Sequence, residues 1–333
     1  MKAVLLCNDP SQLEKKTFGG GRLEKVKKEF EVFEKVVTSK ELEKYKKELS
    51  EAEVIFSTWG MPHLTEEQIK KYFPNLKGVF YAAGSVQDFA KEFLDCGVRV
   101  FSAWAANAVP VAEYVFAQIT LASKGFFKSA RKTSWTRGTA YLNFSRMPGN
   151  FDINVGLIGA GMIGSMVAEK LKALNVKVYV FDPFLSDERA EALGVTKTDL
   201  KTLFETCDVI SNHLANNEQT KGMLNKDCFD RMKPKGVFIN TGRGAQVVEK
   251  DLVRAMRKEK GRLALLDVTM PEPPKFFSPL NFTKNIILTP HMAGSSGNEI
   301  WRMADYMIEQ AVNFKNGEEV KWEVKKEMLA TMA

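Results

Sequence analysis

Histidine and cysteine, the residues most used for metal and thiol chemistry, are scarce: three histidines and four cysteines in 333 residues. Three histidines leave no His-rich metal cluster. Cys7, Cys96, Cys207 and Cys228 show no C-x-x-C pairing and lie in or beside apolar runs. They read as buried free thiols of a reducing compartment, not as disulfides or metal ligands. No apolar run approaches the roughly 20 residues that a membrane span requires. The N-terminus, MKAVLLCNDP, has too short an apolar stretch for a signal peptide and no small-residue cleavage site. It reads as a first β-strand. These absences predict a cytoplasmic protein without metal and without a membrane.

What is present is ordinary in bulk. Hydrophobic residues make up 44% and charged residues 27%, and the length accommodates two domains, each with its own core. The net charge of +7 invites a nucleic-acid reading. However, the lysines alternate with glutamates, as in LEKVKKEFEVFEKVV and ELEKYKKELSE. Opposite charges three and four apart make solvated helix faces, so no nucleic-acid partner is expected. The basic balance still favours anionic substrates and cofactors.

The stretch NVGLIGAGMIG, residues 154–164, carries the most information. An apolar run ends in Gly159, Gly161 and Gly164, the G-x-G-x-x-G pattern, and a second apolar run, KVYVF, closes on Asp182. Gly164 and Asp182 lie 18 residues apart, close to the spacing of a dinucleotide-binding βαβ unit. Gly159 permits the tight turn, Gly161 lets a pyrophosphate approach the backbone, and Gly164 lets the helix pack on the sheet. The amides of Met162 and Ile163 then stand at a helix N-terminus, which favours an anion. Asp182 would accept hydrogen bonds from the adenosine ribose and repel a 2′-phosphate. No Arg or Lys follows in DPFLS, so NAD is preferred to NADP.

Strand-like and helical runs alternate throughout. The first hundred residues offer KAVLLC, EVFEKVV, AEVIFST, LKGVFYAA and VRVFSA, separated by helical stretches. A long helix is expected after Asn107, with Pro110 in its first turn. The second half offers NVGLIG, KVYVF, CDVISNHL, GVFINTG, RLALLDVT and NIILTP, which matches a doubly wound sheet of the dinucleotide type. A last helix after His291 could carry the chain back to the first domain.

Three segments close successive strands of the second half: INTGRG with Arg243, LDVTMPEPP with Glu272, and LTPHMAG with His291. In open α/β sheets that edge binds ligands. A nicotinamide cofactor moves a hydride, and the protein must then hold the substrate, move a proton and stabilise charge on oxygen. His291 suits the acid/base role. Glu272, between Pro271 and Pro273, could orient the imidazole from an extended segment. Arg243 offers a planar fork for a carboxylate. Taken singly, each also fits a loop or turn; their joint placement at one edge is the signal.

With these residues in view, the chain resembles the D-2-hydroxyacid dehydrogenases over nearly its whole length. The resemblance rests on NAVPVAEYVFA, GLIGAGMIG, YVFDP, CDVISNHL, MLNKDCFDRMKPKGVFINTGRG, LALLDVTMPEPP and LTPHMAG in that order. It implies an α/β fold of two doubly wound parallel-sheet domains. A Rossmann NAD domain, 104–293, would be inserted into a flavodoxin-like substrate domain formed by 1–103 and 294–333, with a cleft between them. It implies Arg243, Glu272 and His291 as catalytic residues. Its cofactor contacts would fall on Met162, Ile163, Asp182, Thr241, Asp267 and the segment after His291, with Gly294, and Asp267 would face the nicotinamide carboxamide. Gly159, Gly161, Gly164 and Gly242 join them as turn glycines, and His213, at a strand end beside the nicotinamide site, reads as a contact or as a structural residue. Amides of YAAGSVQD, at Gly84, Ser85 and Val86, would take the substrate carboxylate. Apart from the resemblance, Trp59 in STWGMPH lies just beyond a first-domain strand end and reads equally as a wall of the substrate pocket or as core. A homodimer paired through the nucleotide domains is implied, and no appended regulatory domain is expected.

Two segments depart from the family. HLANNEQT replaces a Pro-Leu-Thr-Pro-like run, making Leu214 and Thr220 the candidate contacts there, and the substrate loop lacks a second Gly and is one residue shorter. His63 reads as an exposed loop residue. Arg131 and Arg137 could meet a phosphorylated substrate but read rather as solvated surface, and Trp135 and Trp301 read as packing or interface groups. The implied reaction is NAD(H)-dependent interconversion of a small D-2-hydroxy acid and its 2-oxo acid. The alternative is an NAD(H)-sensing, corepressor-like scaffold. A formate dehydrogenase would carry Gln at the position of Glu272.

Overall fold

A computed structural model describes residues 1–133, 144 and 147–330. Trp135 and Arg137 lie outside the described residues, as does the side chain of Arg131. The chain forms two compact units, Met1–Ala108 with Ser295–Ala333, and Val109–Gly294. No helix among the described residues is long and apolar enough to cross a membrane.

The first unit is built on a six-stranded sheet. Its strands are β1 (Lys2–Leu6), β2 (Glu31–Val37), β3 (Val54–Ser57), β4 (Gly78–Tyr81), β5 (Arg99–Ser102) and β13 (Glu323–Val324). The order is β13-β5-β4-β3-β1-β2. All pairs are parallel except β13 with β5. The order 2-1-3-4-5 is that of flavodoxin-like sheets. β3 and β4 are buried along their full length, as strands covered on both faces must be. Phe56, Phe80 and Phe101 stack on three adjacent strands, with centroids 5.6 and 4.8 Å apart, and Phe314 meets Phe80 and Phe101 edge-on. Phe314 comes from the helix Glu299–Asn316, so the C-terminal segment completes this core. Arg99 also pairs with Glu323 through two hydrogen bonds of 2.9 and 2.8 Å.

The second unit holds β6 (Phe151–Ile158), β7 (Asn175–Phe181), β8 (Thr196–Lys197), β9 (Val209–Asn212), β10 (Val237–Asn240), β11 (Leu263–Leu266) and β12 (Ile286–Leu288). All are parallel, in the order β12-β11-β10-β9-β6-β7-β8. This is the 3-2-1-4-5-6 dinucleotide order with one strand added. The strand order reverses between β6 and β9, and the chain crosses there from one side of the sheet to the other.

The long helix spans Trp104–Ser123 with Pro110 in its interior, rather than starting after Asn107 with Pro110 in the first turn. Ala105, Ala106 and Ala108 precede the proline and are buried, so packing extends the helix towards β5. Three of the four cysteines are buried and all are free; Cys96 is partly exposed.

Candidate active site

β6 runs into Gly159, whose φ is +96°. A Cβ there would stand 2.8 Å from the His213 carbonyl oxygen, and a Cβ on Gly164 would stand 2.0 Å from the Gly159 oxygen. Around Gly161, by contrast, nothing lies within 4 Å of a Cβ position. Gly161 caps the helix Met162–Leu171, so the first amides of that helix, at Met162 and Ile163, face the open side of the turn without intrahelical acceptors.

Asp182, just past β7, holds this turn. Its Oδ2 accepts from the Ala160 N–H at 2.7 Å and its Oδ1 from the Phe184 N–H at 2.8 Å. Arg189 reaches back and donates to the Ala160 carbonyl (2.7 Å) and the Ser165 hydroxyl (2.8 Å). The Ala160 peptide is therefore gripped on both sides. DPFLS alone conceals this arginine, which lies in the next helix.

At the end of β9, His213 has both ring nitrogens buried with no partner among the described residues, although part of the residue is exposed. Burial pushes its pKa down to about 3, so the ring is neutral at working pH. The Thr241 hydroxyl, past β10, is likewise buried and unpartnered. The HLANNEQT loop is organised by side chains where prolines were expected. The Asn217 carboxamide accepts from the Gln219 and Thr220 amides, and the Thr220 hydroxyl bonds the Ala215 carbonyl at 2.7 Å. Leu214 is partly buried and packs against the core of this unit.

Arg243 follows β10 in a tight turn. Its amide donates to Gln246 Oε1 at 3.0 Å, and its guanidinium donates to the Gly242 carbonyl at 2.9 Å. Gln246 is fully buried and donates to the Leu214 and Ala215 carbonyls at 2.8 and 2.9 Å. It thus ties the Arg243 turn to the β9 loop, and the carboxamides of Asn212 and Asn240 join it there. Gln246 escaped the sequence reading, although a Gln three residues after a turn-opening residue has capping-box spacing. Burial pulls the Arg243 guanidinium below its usual range, and the charge of Glu272 opposes that shift. It remains a cation at neutral pH.

Glu272 and His291 meet directly: Oε1 lies 2.6 Å from Nδ1. Both side chains are open to solvent, 39% and 47% exposed, so the ring has a free edge for a ligand. Both peptide bonds flanking the Glu272 segment, Met270–Pro271 and Glu272–Pro273, are cis. His291 itself has φ +53°, a left-handed conformation that costs a non-glycine residue of order 1–3 kcal/mol. Asp267 holds it there. Its buried carboxylate accepts from the Met292 and Ala293 amides, both at 2.9 Å, and from the Thr289 hydroxyl at 2.6 Å. The His291 amide in turn bonds the Asp267 carbonyl at 3.0 Å. The geometry therefore shows Asp267 first as the anchor of the His291 turn. Gly294 is the last residue of this unit.

In the first unit, the N–H groups of Gly84, Ser85 and Val86 donate to no acceptor among the described contacts. Ser102 fixes their orientation by donating to the Ala83 and Gly84 carbonyls at 2.9 and 2.6 Å. Val86 is buried and Ser85 exposed. Trp59, 38% exposed, stands at the turn after β3, and its carbonyl accepts from the Cys7 thiol at 3.3 Å. His63 Nδ1 lies 2.7 Å from the Asp88 carbonyl and joins the two loops, a role that its surface reading missed.

The glycine turn, the open helix N-terminus and Asp182 define a dinucleotide-binding α/β protein, with an acid–base pair and a partly buried arginine at the same edge of the sheet. For NAD the residues fit: Gly161 leaves room for the pyrophosphate, and His213 and Thr241 offer buried polar atoms without partners. The D-isomer specific 2-hydroxyacid dehydrogenase NAD binding domain matches residues 120–293. A D-3-phosphoglycerate dehydrogenase of Archaeoglobus fulgidus is 33% identical over 224 residues, 66% of this chain and 42% of that protein. The chain thus spans less than half the length of that relative. A formate dehydrogenase of Neurospora crassa is 30% identical over 266 residues, 76% of this chain and 70% of the relative. Among solved structures, D-mandelate dehydrogenase of Rhodotorula graminis superimposes with a TM-score of 0.79 at 21% identity, covering 98% of each chain. The chain belongs to the D-isomer specific 2-hydroxyacid dehydrogenase family and carries its NAD-binding domain.

Proposed function

We propose that this protein interconverts a small D-2-hydroxy acid and its 2-oxo acid with NAD(H), acting in the cytoplasm as a homodimer. The observation that carries this reading is the 2.6 Å contact between Glu272 and His291, at the sheet edge that also presents Arg243. When bound, NADH supplies hydride to the carbonyl carbon. Glu272 orients the ring through Nδ1, so Nε2 is the atom that gives a proton to the developing alkoxide during reduction and takes one from the hydroxyl during oxidation. Arg243 holds the carboxylate and polarises the carbonyl oxygen. The amides of Gly84, Ser85 and Val86 are the first unit's donors to the carboxylate, and Trp59 is its apolar wall residue.

Cofactor contacts in this reading are Gly159, Gly161, Met162, Ile163, Gly164, Asp182, His213, Thr241, Gly242, Asp267 and Gly294. Asp267 shares its carboxylate between the His291 turn and the nicotinamide carboxamide. The cofactor preference is NAD, because an acid at the end of the second strand of the βαβ unit, here Asp182, takes the ribose hydroxyls and its charge repels a 2′-phosphate.

The test is NADH oxidation against a panel of 2-oxo acids, with NADH binding followed separately by fluorescence. Turnover by the native protein and its loss by about 10²–10⁴-fold in His291→Ala, with NADH binding retained, are expected. Tight NADH binding without turnover of any 2-oxo acid would overturn the reading. Sedimentation of the purified protein tests the dimer.

A further inference from the structure

We infer that the substrate of the proposed reaction is an unphosphorylated 2-oxo monocarboxylate with an uncharged substituent, selected by the loops that follow the four inner strands of the first unit. This inference rests on the proposed dehydrogenase reading and on its carboxylate loop, Gly84–Val86. The inner strands are β5, β4, β3 and β1, and their loops cover residues 7–11, 58–65, 82–89 and 103. Neither Lys nor Arg occurs in any of them, while Asp9 and Asp88 do. Both acids are exposed. Lys40 and Lys44, the basic residues between β2 and the next α-helix, follow the outer strand.

The acids act on the strand ends that they flank. Burial raises the Tyr81 phenol, and the charge of Asp88 raises it further. Burial likewise raises the Cys7 thiol, against a backbone hydrogen bond that lowers it, and the charge of Asp9 adds to the rise. Burial sets both shifts first, and each acid adds to the rise at the strand end that it flanks. A phosphate group carries close to two negative charges at neutral pH and would meet Asp9 and Asp88 with neither Lys nor Arg in these loops to offset them.

The same edge offers apolar surface. Trp59 presents an exposed indole, and its turn is pinned by the Cys7 thiol and by the Asn8 amide, which donates to Gly60 at 2.8 Å. Met61 is partly exposed beside it. An indole held on a fixed turn suits an alkyl or aryl substituent.

The experiment compares kcat/KM for 3-phosphohydroxypyruvate, hydroxypyruvate, pyruvate, 2-oxobutyrate and phenylpyruvate with the native protein. The phosphorylated acid is expected to be at least about 100-fold poorer than its unphosphorylated counterpart, the scale on which like-charge juxtaposition discriminates. Asp88→Asn should narrow that ratio, and Trp59→Ala should lower the larger apolar acids more than pyruvate. A phosphorylated acid as the best substrate would overturn the inference and leave the dehydrogenase reading standing. So would a ratio unmoved by Asp88→Asn together with an unselective Trp59→Ala. No turnover of any acid by protein that binds NADH would instead remove the dehydrogenase reading itself.

Discussion

Gly161 and Gly164 stand three residues apart and would respond to a methyl group in opposite ways. A Cβ at Gly164 collides with the Gly159 oxygen at 2.0 Å, and backbone cannot yield cheaply. Gly164→Ala should therefore destabilise the second unit by about 1–3 kcal/mol, the range for overpacking, read by denaturant titration. A Cβ at Gly161 meets nothing within 4 Å, so Gly161→Ala should unfold like the native protein. It should nevertheless weaken NADH binding by about tenfold, or 1.4 kcal/mol, because the methyl occupies the pyrophosphate's approach. Equal NADH affinity in both proteins would remove Gly161 from the cofactor site.

His213 makes a second residue-scale case through pH. Its folded pKa is pushed down to about 3 from 6.5. Below pH 6.5 the unfolded chain takes up a proton that the folded chain refuses. The contribution is therefore fully present above 6.5 and is lost as pH falls towards about 3, at up to about 1.4 kcal/mol per pH unit. Between pH 7 and pH 5 the native protein should lose about 2 kcal/mol more than His213→Gln. Identical losses in the two proteins would show that His213 titrates normally in the fold.

Glu249 shows how an element, not a site residue alone, sets the geometry. It opens the helix Glu249–Lys258, and its Oε1 accepts from the Met270 amide at 2.7 Å, two residues before Glu272. The Arg243 turn packs against the same segment, since a Cβ on Gly244 would lie 2.1 Å from the Thr269 carbonyl carbon. The helix thus clamps the strand-end loop that aims Glu272 at His291. Glu249→Ala should lower kcat by about tenfold through misplacement, with NADH affinity unchanged, while Glu249→Gln, which keeps an acceptor, should restore most of it. Matching kcat values in Glu249→Ala and the native protein would show the clamp to be idle.

That clamp also marks where reading a sequence stops. The strands with apolar runs of four or more residues were legible, and so was the placement of Arg243, Glu272 and His291 at strand ends. β8 and β13 were not, because two-residue strands carry no period. Gln246, Asp267 and Glu249 hold the site through partners 21–32 residues away. No local spacing encodes such bonds; only the parallel sheet, by stacking successive strand ends, brings the partners together.

For the whole molecule, the apolar packing divides as the chain does. Two of the described core clusters lie wholly in the first unit and two wholly in the second. Every proposed cofactor contact lies in the second. A ligand stabilises only what unfolds with its site, by about 2.7 kcal/mol at 100 times its Kd. Hydrogen exchange with saturating NADH should therefore slow the most protected amides of β9 and β10 by about 100-fold. Those of β3 and β4 should change far less, because each described apolar cluster lies within a single unit. Equal slowing in both sheets would show that the two cores open as one cooperative unit.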